Sequence, residues 1–181
     1  MKKIVLLLLI CSIANAQESP FKYLKYENGE VLFDKVYMVD SLSASQVETL
    51  LAERLPSAKN VISISKGAES FSGQLEKCYI DYEKYGGKVM TTLMLLGYPL
   101  SASVTAYWKD GKYRIVVDRM QWITQITLMG TSASGANSAT ETFHPRKEWK
   151  TGKTSVNGGK YVEQYLADLF DFSKTKQKTD W

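Results

Sequence analysis

The strongest constraint on how this chain can fold is a single turn. Ser103 to Trp108 alternates polar and apolar residues, Asp110-Gly111 follows, and Tyr113 to Met120 returns. An Asp-Gly pair accepts the positive backbone angles of a tight hairpin turn, whose twist matches that of the strands it joins. The segment is therefore expected to be an antiparallel hairpin. Ala102, Val104, Ala106 and Trp108 would form one face of its first strand, with Tyr113, Ile115, Val117 and Arg119 alternating along the second. A half-buried sheet needs a partner layer, and the flanking patterns supply one.

Upstream, Val31 to Val39 is rich in valine and aromatics and ends at Asp40-Ser41, which predicts a first strand and a turn. Ser43-Ala44-Ser45-Gln46 has the spacing of a capping box, and Val47, Leu50, Leu51 and Leu55 then recur at helical period until Pro56 stops them. Asn60 to Ser65 is a short strand, with Gly67 as a turn. From Phe71 the residues alternate, Phe71, Gly73, Leu75, Lys77 and Tyr79 against Ser72, Gln74, Glu76, Cys78 and Ile80. Gly86-Gly87 opens a turn, and Val89 to Leu96 is either a strand or a buried helix. Gly130 to Thr140, built from small polar residues, buries too little apolar area to order itself and is expected to be a mobile loop. After Asn157-Gly158-Gly159, the positions Tyr161, Val162, Tyr165, Leu166, Leu169 and Phe170 predict a second helix over 160–172.

The first residues address compartment rather than fold. Lys2 and Lys3 precede an apolar run from Ile4 to Ile13, and Ala14-Asn15-Ala16 has the small-x-small form that a signal peptidase cuts. Residues 1–16 thus read as a signal peptide cut after Ala16, giving a periplasmic or secreted protein that begins at Gln17. Cys11 is not expected to be lipidated, because Ile10 stands where a lipoprotein box needs a small residue. The run is about ten residues, short of the roughly twenty a bilayer span requires, and Val89 to Leu100 is interrupted by Thr91, Thr92, Gly97 and Pro99. No transmembrane anchor is expected.

Without residues 1–16 the 23 basic residues fall to 21 against 19 acidic ones, too balanced for a nucleic-acid partner. The densest basic stretch, Lys174 to Lys178, lies in a polar tail over 174–181. Residues 17–30, with Pro20, Asn28 and Gly29, read as a flexible N-terminal segment, and 31–173 as one domain. Cys78 is then the lone cysteine, without an intramolecular disulfide partner, and is expected to be buried as a small apolar residue.

The Val31 to Leu55 opening, the Lys109-Asp110-Gly111-Lys112-Tyr113-Arg114 turn, the terminal Asp180-Trp181 and the export signal together resemble domain of unknown function 4468. The resemblance covers roughly Val31 to Trp122. It implies a secreted Gram-negative bacterial protein with a TBP-like α+β fold: a curved antiparallel sheet of about five strands with two helices on one face. The family brings no activity or catalytic residues. A fold does not carry its function with it, so no DNA-binding residue is inferred.

Catalytic patterns are sparse. The single histidine, His144, precedes Pro145 beyond the expected loop and reads as a surface residue. One histidine and one cysteine do not make the usual zinc sets, and no Gly-x-Ser-x-Gly elbow occurs. Gly152-Lys153-Thr154 imitates the end of a phosphate loop, but Lys147 stands where its first glycine belongs. Asp40-Ser41-Leu42 matches a short O-glycan acceptor pattern and equally an ordinary turn. No catalytic residue, metal or cofactor is assigned. A carboxylate-dependent envelope hydrolase would have to use Asp81, Glu83 and Asp118. A small-ligand carrier would need an apolar pocket lined by Val89 to Leu96.

Aromatic content is the positive signal. Eleven tyrosines and four tryptophans include Tyr37, Tyr79 and Tyr82 in expected strands or beside them, and Tyr107, Trp108, Tyr113 and Trp122 in and beside the hairpin. Such rings combine apolar area with a hydrogen-bonding tip, which suits interfaces and sugars. The leading expectation is an exported, non-enzymatic binding module that contacts a protein, peptide or glycan of the cell envelope through Tyr107, Trp108, Tyr113 and Trp122.

Overall fold

The computed structural model describes residues 19–128 and 131–173. The expected export signal, the terminal Asp180-Trp181 and the tail from residue 174 lie outside the described residues. In chain order the elements are β1 (Leu24–Glu27), β2 (Glu30–Met38), α1 (Ala44–Arg54), β3 (Val61–Lys66), β4 (Ser70–Cys78), β5 (Leu100–Lys109), β6 (Lys112–Leu128), β7 (Thr131–Ser138), α2 (Ala139–Phe143) and α3 (Lys153–Leu169). The expected hairpin is β5–β6, turned at Gly111 with φ +68°.

All seven strands form one antiparallel sheet, in the order β1-β2-β6-β5-β4-β3, with β7 also paired to β6. Strand β6 runs for 17 residues. Its first half pairs with β2 and its second half with β7, so both lie on the edge opposite β5. The two strands beyond the expected five are β1 and β7. Strand β1 falls within the segment expected to be flexible: Leu24 is buried, and the Tyr23 and Leu24 N–H groups donate to the buried Glu163 carboxylate of α3. Strand β7 replaces the expected mobile loop over its described residues. What holds it is the backbone ladder to β6, a source of order that side-chain composition does not register.

Three bulges shape the sheet. Ser63, Lys77 and Arg119 have φ of +53°, +50° and +51°, and each lies where the strand register slips. At Lys77 the extra residue reverses the alternation, so Cys78 and Ile80 join Phe71 and Leu75 in the core while Tyr79 turns outward. This corrects the simple two-sided reading of that strand. At Arg119 the same device follows buried Val117 with buried Met120 and Trp122. Bulges on both neighbours of β5 add local twist and curve the sheet. Asn60 holds the β4 bulge by donating to the Glu76 and Lys77 carbonyls at 2.8 and 2.9 Å.

Helix α1 has its capping box: the Gln46 N–H donates to Ser43 Oγ at 3.4 Å and the Ser43 N–H to Gln46 Oε1 at 2.9 Å. Its Val47 and Leu51, with Leu55, enter the same core as Val162 and Leu166 of α3. Helix α3 begins at Lys153, earlier than expected, because Gly158 and Gly159 serve close packing and not a turn. A Cβ at either would overlap Leu93 or Phe21. A third helix, α2, packs against β2, β6, β7 and α3, so the expected pair of helices is corrected to three. Val89 to Leu96 is neither strand nor buried helix: it forms 3-10 turns at Val89–Thr91 and Met94–Gly97, with Leu96 buried and Met90 95% exposed.

Candidate functional site

The hairpin divides the four expected binding aromatics. Trp122 is 0% exposed and Tyr113 1%, so both are core residues, and of the two Tyr113 still borders the groove at the hairpin. Tyr113 stacks on Tyr37 with ring centres 4.8 Å apart, and its hydroxyl donates to the Phe170 carbonyl at 2.9 Å and accepts from the Phe172 N–H at 2.7 Å. Burial pushes the Tyr37 and Tyr113 phenols well above their ordinary value, so both stay protonated. Trp108 is half-buried against Phe71. Tyr107 alone of the four is well exposed, at 44%.

Tyr107 belongs to the other face of the sheet. The register places Val36, Arg114 and Tyr107 in one cross-strand row on β2, β6 and β5. With Trp108, Lys109, Lys112 and Tyr113 they line an open groove of about 350 Å³. Arg114 makes a two-pronged contact with Asp34, Nε to Oδ1 at 2.7 Å and Nη2 to Oδ2 at 3.0 Å, and Lys25 Nζ reaches Oδ2 at 2.6 Å. Burial raises the Asp34 pKa, but the hydrogen bonds from Arg114 and Lys25 outweigh it and the carboxyl titrates below its ordinary value. Arg114 is thereby fixed over the sheet, while Lys109 and Lys112 add positive charge at the turn.

The catalytic candidates do not converge. Asp118 pairs with its neighbour Arg119 at 3.3 Å. Asp81 lies beyond β4, where it accepts from the Lys84 N–H at 3.3 Å and lines a different depression from which Asp118 is absent. Glu83 is exposed on a 3-10 turn. Cys78 is buried, donates to the Tyr165 hydroxyl at 3.2 Å, and has its pKa raised by burial, which keeps it a thiol. Among the described residues no three His, Cys, Asp or Glu side chains gather as metal ligands.

His144 is not the surface residue expected. It is buried at the C-terminal end of α2, stacked on Tyr26 at 3.9 Å and edge-on to Trp149 at 4.7 Å, with no partner for Nδ1 among the described residues. The Ser138–Glu141 capping box fixes the start of α2, and His144 is the residue that closes its C-terminal end. Glu163 and the Asp34–Arg114 pair gave no signal in the sequence, since each is recognisable only beside its partner.

No family model matches the chain, and no curated protein does. Among solved structures it is similar to a TBP-like protein from Parabacteroides distasonis, with a TM-score of 0.55 and 11% identity over 85% of this chain and 99% of that one. It is also similar to a DUF4468 family protein from Bacteroides ovatus, with a TM-score of 0.45 and 16% identity over 81% of this chain and 83% of that one. The class is thus a TBP-like α+β domain, the fold that the sequence resemblance implied. No helix among the described residues is long and apolar enough to cross a membrane.

Proposed function

We propose that the chain is an exported, non-enzymatic binding module of the bacterial cell envelope. Its sheet groove at the hairpin end would hold an acidic protein or peptide segment carrying an apolar side chain. The observation that supports this is Tyr107, exposed beside Val36 in a groove ringed by Lys109, Lys112 and Arg114. A ring that joins no other ring among the described residues, set among cations, favours a partner offering both apolar area and negative charge. Met38, also exposed near the end of β2, extends the apolar strip. Export rests on the sequence of residues 1–16.

The test places a photo-crosslinking residue at position 107 in the producing cell and compares it with one at exposed Lys153. A discrete adduct from 107 alone, lost when Lys109 and Lys112 are changed to Glu, supports the reading. Equal labelling from both positions, or an adduct indifferent to the charge reversal, refutes it. Fractionation with mass measurement of the intact protein checks export, the expected product beginning at Gln17.

A further inference from the structure

A second depression lies away from the sheet groove, where the end of β4, the 3-10 turn Glu83–Tyr85 and α3 meet. It has a volume of about 260 Å³ and is walled by Tyr79, Tyr85 and Tyr165, with Asp81, Lys84 and Asp168 among them. The rings of the packed interior meet other rings, as Tyr37 meets Tyr113 and Phe71 meets Trp108. These three make no contact with another aromatic ring among the described residues. Tyr79 is 61% exposed, because the Lys77 bulge turns it out of the core.

The polar groups of this depression are held in place before any ligand arrives. Lys84 Nζ bonds Asp168 Oδ2 at 2.9 Å, and the Tyr85 hydroxyl donates to the same oxygen at 3.0 Å. The Tyr165 hydroxyl accepts from the buried Cys78 thiol at 3.2 Å, which leaves its own proton to donate. Burial raises the Tyr85 and Tyr165 phenols above their ordinary value, so both are donors at neutral pH. Lys59 and Lys84 match Asp81 and Asp168, so the lining carries no net charge.

These features select among ligand classes. An apolar ligand would desolvate the Lys84–Asp168 pair, Lys59 and Asp81 while offering them no hydrogen bond. At the Tyr85 ring a cationic ligand would find its place taken by the Lys84 ammonium, 5.1 Å from the ring centre, and Lys59 and Lys84 already bring two positive charges to the lining. What remains is a neutral molecule with an apolar face for the rings and hydroxyls for the carboxylates and phenols. We infer that this tyrosine depression is a binding subsite for an uncharged sugar unit, such as the exposed residue of an envelope glycan. The assignment stands on residues separate from the sheet groove and does not depend on it.

The test is an NMR titration of the purified protein with galactose, mannose and N-acetylglucosamine, alone and as short neutral oligomers, alongside tetramethylammonium. The expected result is saturable shifts at Tyr79, Tyr85 and Tyr165 with at least one sugar, weakened about tenfold by Tyr79→Ala and unchanged by Tyr107→Ala. Tyr79 is exposed, so its loss leaves the fold intact, and circular dichroism checks this. Three outcomes overturn the inference: no saturable shift with any sugar, shifts indifferent to Tyr79→Ala, or saturation by tetramethylammonium in place of the sugars.

Discussion

Tyr113 and Tyr107 come from the same hairpin and serve different ends. On the inner face Tyr113 is enclosed between Tyr37 and Phe172, and its hydroxyl satisfies two backbone groups at the end of α3. On the outer face Tyr107 meets no other ring among the described residues and stands beside Arg114 and Val36. Strand pleat alone separates them, because successive side chains point to opposite faces. The comparison teaches that a surplus of aromatics is no guide to function until each ring has been assigned to a face. Most of the rings among the described residues are packed into the core, and a small set faces outward.

The largest test of that division is Trp122→Ala, which empties a fully buried site. It should cost about 3–5 kcal/mol in urea unfolding, as large-to-small core changes of this size do. Next is Glu163→Ala, which strands two N–H groups at the start of β1. We expect a loss of about 1.5–3 kcal/mol, with faster hydrogen exchange at Tyr23 and Leu24 and partial recovery in Glu163→Gln. Tyr113→Phe keeps the ring but leaves the Phe170 carbonyl and the Phe172 N–H without the hydroxyl, for about 1–3 kcal/mol in the same assay.

The outer face should respond to pH instead. Asp34 is depressed in the folded state, so its stabilising contribution is present above the ordinary carboxylate range and is lost as pH falls through its folded value. Asp34→Asn should therefore flatten the acid limb of the stability curve and leave its alkaline limb alone. Lys25 and Arg114 are about half-exposed, and screening by solvent and salt keeps the effect modest. The smallest change is predicted for Tyr107→Ala, within about 0.5 kcal/mol of the parent in stability. A larger loss would show that Tyr107 is structural and would erase the contrast with Tyr113.

Much of the framework was legible. The Asp110-Gly111 turn, the Ser43–Gln46 capping box and the apolar period of α1 are local signals, and local signals survive folding when the tertiary structure agrees with them. The candidate site was legible in part: Tyr107 follows from alternation, but the same alternation fails at Lys77 and Arg119. Nothing in the residues around Lys77 marks the bulge, which depends on the β5 partner and on the Asn60 amide. Gly158-Gly159 misled in the other direction, since glycines that end a helix and glycines that let Leu93 and Phe21 approach it read alike.

By itself the sequence determined the elements whose hydrogen bonds close within a few residues or across a tight turn, and the alternation that divides a strand into an inner and an outer face. Export is proposed from residues 1–16 alone. Only the tertiary structure decided which edges receive β1 and β7, where the bulges reverse that alternation, and which tyrosines remain outside the core. Those outcomes depend on partners far apart in the chain, such as Glu163 with Tyr23 and Leu24 or Asp34 with Arg114. The physical reason is that a buried polar group or an added strand is stable only once its partner is in place, and no local pattern records that partner.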